Sequence, residues 1–212
     1  GAMSTPLEAA GLNLNDTLWS AKALLECPDL VRKVHYDYYA AGANAVEACS
    51  YQATEAAFAR KGIEKAEASR LIRLSGELVR EAKNDALLEH PEWDPADLLT
   101  AGSIGPYGAY LADGSEYTGA YDLTREEYYA FHQLRLDELL NSGMDILAIE
   151  TQPRFDEIEA LLAMIAERDI TCWVTVTLKD GDMPDGTKLE VLAKCLDADP
   201  HVEAFGFNCV KR

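Results

Sequence analysis

Short apolar, β-branched runs alternate along this chain with longer stretches of helical periodicity, and that alternation limits the possible folds more than any other feature. The spacing predicts strands over Asn44–Ser50, Leu98–Ile104, Asp145–Glu150, Thr171–Leu178 and Val202–Cys209. Helices are predicted between them, over Pro28–Ala41, Ile63–Glu89, Thr124–Asn141, Phe155–Glu167 and Leu189–Leu196. Strands separated by helices pair in parallel through right-handed crossovers. A near-continuous apolar strand such as Asp145-Ile146-Leu147-Ala148-Ile149 suits a sheet covered on its faces. Such a pattern fits an open doubly wound sheet and part of an eight-stranded β/α barrel equally well, and composition does not choose between them.

Local signals sharpen several elements. Pro28 suits a first helical turn and Gly42 a position just past the end, with Val31, Val34 and Tyr38 on one face. Leu71, Leu74 and Leu78 form the apolar stripe of the long helix. Thr124 and Glu127 have the spacing of a capping box. The Gly- and Tyr-rich stretch from Gly105 to Leu123 reads as a loop too long for a mere connector, a candidate lid whose glycines serve tight turns in the alternative reading.

At 212 residues the chain is sized for one domain, residues 1–212. Acidic residues outnumber basic ones 37 to 19, a formal net charge of -18. Phosphate backbones and anionic lipid repel such a surface, which argues against nucleic-acid and membrane roles. Neither a transmembrane-length apolar run nor a signal-peptide pattern is present. Five cysteines without a CxxC pair read as reduced intracellular thiols, hence a cytoplasmic protein.

Polar groups gather at the predicted C-terminal ends of strands, where both architectures bind ligands: Ser50-Tyr51-Gln52, Ser103 with Gly105-Pro106-Tyr107, Glu150-Thr151 and Asn208-Cys209. Glu150, read as the last residue of its strand, can bind a substrate ammonium or act as a base; it can equally be a solvated acid or a capping partner. Cys209 offers a metal ligand or nucleophile, against the plainer reading of an inert buried thiol. Trp19 can line an apolar pocket or pack in the core. His35, His90, His132 and His201 form no HxxxH or HExxH pair, and GxSxG, Walker A and GxGxxG patterns are absent.

Taken together, several segments resemble the homocysteine S-methyltransferase family, most closely its members that use S-methylmethionine as methyl donor. They include Leu12-Asn13-Leu14-Asn15-Asp16 with Leu18-Trp19-Ser20, Val34-His35-Tyr36-Asp37-Tyr38-Tyr39, Ser50-Tyr51-Gln52-Ala53-Thr54, Gly102-Ser103-Ile104-Gly105-Pro106-Tyr107-Gly108-Ala109-Tyr110, Glu150-Thr151, Asp185-Gly186-Thr187 and Asn208-Cys209. The resemblance implies a (β/α)8 barrel and a zinc ion, held by three cysteine thiolates, that binds the homocysteine sulfur as its thiolate. It matches Cys209 to the first zinc ligand and Glu150 to the acid that receives the homocysteine ammonium. Trp19 matches an aromatic wall near the methyl-donor pocket, and Ser50 a position beside the amino-acid substrate. Gly1 and Ala2 match a loop whose backbone approaches the same substrate. A second reading, in which Gly1-Ala2-Met3 is a cleavage remnant, fits less well because the match continues unbroken into Leu7-Glu8.

The departures are specific. The family's first strand, and the adjacent cysteine pair that follows two glycines on its last strand, have no counterpart in the sequence. Glu47 puts a charge inside a predicted strand, Ala48 stands where relatives often carry a hydroxyl, and Pro6 replaces a position usually acidic or polar. The expectation is therefore an incomplete barrel of about five parallel strands, truncated at both ends, with an incomplete zinc site and little turnover alone. Open sheet edges would favour self-association. A non-catalytic amino-acid-binding or partner-binding fragment of the same fold is the alternative.

Overall fold

Every connection between consecutive strands carries helix, as parallel pairing demands. The computed structural model describes residues 2–210. The chain opens with α1 (Ser4–Ala9), α2 (Ala23–Glu26) and α3 (Pro28–Ala40), then β1 (Ala45–Glu47), α4 (Glu55–Ala59) and α5 (Lys65–Glu89). Next come β2 (Leu99–Ile104), α6 (Tyr107–Leu111), α7 (Ser115–Thr118) and α8 (Arg125–Asn141). It continues with β3 (Ile146–Gln152), α9 (Phe155–Ala166), β4 (Cys172–Val176), α10 (Leu189–Ala198) and β5 (Val202–Phe207). The strands form one sheet in the order β1-β2-β3-β4-β5. The chain divides into two compact units, residues 1–103 with 134–145, and residues 104–133 with 146–212.

In the first unit β1 runs parallel to β2, Val46 opposite Thr100. Helices α3 and α5 pack on each other, and Arg32 closes on Asp85 at 2.6 Å. The inner face of α5 is built from Leu71, Ile72, Leu78 and Val79, whereas Leu74 is only half-buried. Gly76 sits in that face because a Cβ there would lie 1.9 Å from Ser142 Oγ. The buried face of α3 carries Val31, Val34, His35 and Tyr39, so Tyr39 rather than Tyr38 faces the core.

In the second unit β3, β4 and β5 pair in parallel, with Ile149 opposite Val174 and Val174 opposite Phe205. Helix α9 lays Ile158, Leu161 and Ile165 against this sheet, and α10 packs on β5. The capping box forms: Thr124 N–H donates to Glu127 Oε2 at 2.7 Å and Glu127 N–H to Thr124 Oγ1 at 3.2 Å.

Three expectations need correction. The Gly105–Leu123 stretch is not plain loop but carries α6 and α7. Glu150 does not end its strand, because β3 continues through Thr151 to Gln152. Cys209 lies beyond β5, which stops at Phe207, and its left-handed backbone (φ 52) cannot continue a strand.

Candidate active site

Three strand ends in the second unit converge on Cys209. Along β3 and β4, Ile149 pairs with Val174 but Gln152 with Val176, so one extra residue bulges from β3 at Glu150-Thr151. Thr151 takes up that residue with a left-handed backbone (φ 55), which a β-branched side chain adopts only under constraint. The constraint is visible. Thr151 N–H donates to Thr175 Oγ1 at 3.4 Å, Asn208 Nδ2 donates to Thr151 Oγ1 at 3.0 Å, and Thr151 Oγ1 lies 3.9 Å from Cys209 Sγ as its donor. Just past the end of β4, Thr177 Oγ1 donates to the Cys209 carbonyl at 3.4 Å. Asn208 N–H donates to the Val176 carbonyl at 3.2 Å, while Asn208 Oδ1 is buried with no hydrogen-bond partner among the described residues.

Cys209 is exposed, so the reading of a buried inert thiol does not hold for it. That reading does hold for Cys49 and Cys172, which are buried; burial pushes both thiols up to about 12 and leaves them protonated at neutral pH. Cys27 and Cys195 are half-buried, and burial raises their thiols too.

Glu150 sits in the bulge, half-buried, and its carbonyl accepts from Gln152 Nε2 at 3.3 Å. The same amide nitrogen donates to the Ile104 carbonyl at 3.3 Å, tying the bulge to the end of β2. Helix α7 packs against β3 in this unit. Burial is the main cause that raises the Tyr117 phenol on this helix.

The other predicted positions belong to the first unit. Ser50 is fully buried, and its hydroxyl donates to the Ser103 carbonyl at 2.8 Å, so its proton is already used. Behind it the buried Arg135 donates from Nη1 to the Tyr51 carbonyl at 2.6 Å, holding the segment after β1. Trp19 starts a tight helical turn, Trp19–Lys22, with left-handed backbone (φ 46), and meets Tyr51 edge-on at 6.2 Å between ring centroids. Ala2 is exposed, and its carbonyl accepts from Tyr38 Oη at 3.1 Å. Gly1 lies outside the described residues. Sequence reasoning grouped Thr151 and Asn208 with the strand-end polar residues without giving either a role, and it missed Arg135 altogether. The signal for the first two was their adjacency to Glu150 and Cys209; Arg135 gave none, being one more arginine on a charged helix.

A catalytic zinc needs three protein ligands. Among the described residues no cluster of three or more His, Cys, Asp or Glu side chains is placed to hold a metal, and Cys209 offers one thiol. The residues present therefore do not by themselves fit the ion.

The family model for homocysteine S-methyltransferase matches residues 1–212. Homocysteine S-methyltransferase of Escherichia coli (strain K12) is 50% identical over 212 residues, covering 99% of this chain and 68% of that protein. Homocysteine S-methyltransferase YbgG of Bacillus subtilis (strain 168) is 45% identical over 212 residues, covering 99% of this chain and 67% of that protein. The crystal structure of the metallated E. coli homocysteine methyltransferase MmuM superposes with a TM-score of 0.93 at 50% identity, covering 99% of this chain and 73% of that one. The five parallel strands seen here are accordingly part of a (β/α)8-type barrel. The chain belongs to the homocysteine S-methyltransferase family.

Proposed function

We propose that this protein is built to transfer a methyl group from S-methylmethionine, or S-adenosylmethionine, to homocysteine, forming methionine, as a single homocysteine-binding domain in the cytoplasm. The observation that carries the reading is the laced strand-end site: an exposed Cys209 held by Thr151 and Thr177 beside the Glu150 bulge. Five free cysteines suit a reducing compartment.

The chemistry asks little of the protein beyond placement. The homocysteine sulfur attacks the sulfonium methyl in line, a new sulfur–carbon bond forms as the old one breaks, and the donor leaves as a neutral thioether. The homocysteine thiol loses its proton on the way, so the balance is one methyl gained and one proton released. In this reading Glu150 receives the substrate ammonium, and Ser50 and Ala2 are assigned to the amino acid. Trp19 walls the donor pocket, where an aromatic face suits a sulfonium cation. Zinc is the cofactor in this reading, with Cys209 one of its ligands; since the described residues supply no complete ligand set, no step is drawn through the ion.

Two further properties follow. The 212-residue chain alone retains no stoichiometric zinc and turns over little. It also self-associates through β5, where Phe205 and Phe207 are 44% and 50% exposed on a sheet edge. Sedimentation across a dilution series tests the second point: a monomer at every concentration contradicts it.

For the reaction, residues 1–212 joined to the E. coli enzyme segments they do not cover are assayed for methionine from homocysteine and each donor. Methionine formation, with Glu150→Ala raising KM for homocysteine more than KM for the donor, supports the proposal. No methionine with either donor, or unchanged homocysteine kinetics in Glu150→Ala, removes it.

A further inference from the structure

Glu157 is fully buried in the first turn of α9, and three donors from different parts of the second unit converge on it. Tyr107 N–H reaches Oε1 at 2.7 Å, His132 Nε2 lies 2.8 Å from the same oxygen, and Tyr121 Oη donates to Oε2 at 2.6 Å. The helix N-terminus adds its own partial positive charge. His132 is also fully buried, so the contact assigns its ring proton to Nε2. Tyr107 and Tyr121 bracket α6 and α7, so one carboxylate fastens both ends of that segment. Its interior is drawn tight as well: a Cβ on Gly108 would lie 2.5 Å from Glu116 N, backbone against backbone. Between the two fastened ends stands α7, packed on β3, the strand whose Thr151 hydroxyl lies 3.9 Å from Cys209 Sγ.

We infer that Glu157 is a positioning residue for the Cys209 site: by clamping Tyr107 and Tyr121 it makes the segment between them a fixed wall against β3, the strand that holds the thiol, rather than a mobile lid. The inference rests on the reading of Cys209 as the functional thiol. Removing the carboxylate leaves three donors without their acceptor, that of His132 fully buried and those of Tyr107 and Tyr121 partly so, whereas glutamine keeps an acceptor for Tyr107 and His132 and turns an amide toward Tyr121.

The test uses the purified 212-residue protein, with peptide-resolved hydrogen exchange over residues 107–121 and the iodoacetamide alkylation rate of Cys209. Glu157→Ala is expected to speed exchange across the segment by roughly tenfold or more, as a released substructure does. Alkylation of Cys209 should rise about threefold as access opens, and Glu157→Gln should stay within about twofold of the parent. Tyr117→Ala should raise the alkylation rate without changing Tyr107 exchange, and the double variant with Glu157→Ala should add nothing further. An unchanged Cys209 rate in a folded Glu157→Ala protein overturns the inference, as do single effects that multiply in the double variant. If Glu157→Ala fails to fold, seen as alkylation of the buried Cys49 and Cys172, Tyr121→Phe decides. Faster exchange near residue 121 with a faster Cys209 rate supports the clamp, and parent-like values for both refute it. None of these readouts needs homocysteine, a methyl donor or a metal, so a failed methyl-transfer assay and a failed clamp are separate results.

Discussion

Thr151 and Cys209 meet across the ends of β3 and β5 with 3.9 Å between hydroxyl oxygen and sulfur, each held in left-handed backbone that its side chain disfavours. Two strained residues in contact at a strand-end thiol mark where the fold spends stability on geometry. The Thr151 hydroxyl is the shared element, accepting from Asn208 Nδ2 while it donates to the sulfur.

Thr151→Val therefore breaks both bonds and leaves the Asn208 amide without that acceptor. The expected loss is about 1–2 kcal/mol of unfolding free energy. A urea titration with unchanged slope and a lowered midpoint verifies it; a midpoint equal to the parent's means the lacing carries no load.

Gly108 is a glycine for close approach, not for a turn. A Cβ there would stand 2.5 Å from Glu116 N and 2.6 Å from the Ser115 carbonyl carbon, so backbone has to move. Gly108→Ala should cost roughly 1–3 kcal/mol, the range for overpacking a tight interior. It should also loosen α6 and α7 in hydrogen exchange before the rest of the unit. Parent-like protection across residues 107–121 would show that the segment accommodates the methyl group freely.

His35 sets a pH dependence. It is fully buried in α3, neither ring nitrogen has a hydrogen-bond partner among the described residues, and burial depresses its pKa from 6.5 to about 3. The native state thus holds it neutral, while below about pH 6.5 the unfolded chain binds a proton that the folded one refuses. Stability rises with pH across that window and is lost as pH falls toward 3. At pH 5 the term amounts to roughly 2 kcal/mol, from ~1.4 kcal/mol per pH unit. His35→Leu removes the proton-binding group without emptying the site, so its stability should fall less steeply than the parent's between pH 7 and pH 5. Parallel curves for the two proteins in urea would contradict the assignment.

Much of the architecture is legible in the sequence because its signals are local. Pro28 at a first turn, Gly42 past the end of α3, the Thr124–Glu127 box and the alternation of strand and helix each act within a few residues. The site is less legible because it is made by distant partners. The β3 bulge at Glu150-Thr151 depends on Thr175 and Asn208, and nothing near Thr151 announces a left-handed backbone. The two short helices between Gly105 and Leu123 depend on Glu157, well along the chain, and glycine- and tyrosine-rich sequence reads as loop without it. Tyr38 gave way to His35 and Tyr39 because the buried face of α3 is wider than the stripe read from Val31 and Val34. Cys209 was legible as a residue worth weighing; its exposure, and the threonines that hold it, came from the fold.

The central claim is that Cys209 is a zinc-ligating thiol of a homocysteine methyltransferase. The direct test is zinc stoichiometry, measured together with methionine formation, in the chain completed with E. coli enzyme segments and in its Cys209→Ser variant. The account predicts about one zinc per protein and methionine formation in the parent, with both lost in the variant. A Cys209→Ser protein that keeps its zinc and its rate would contradict it.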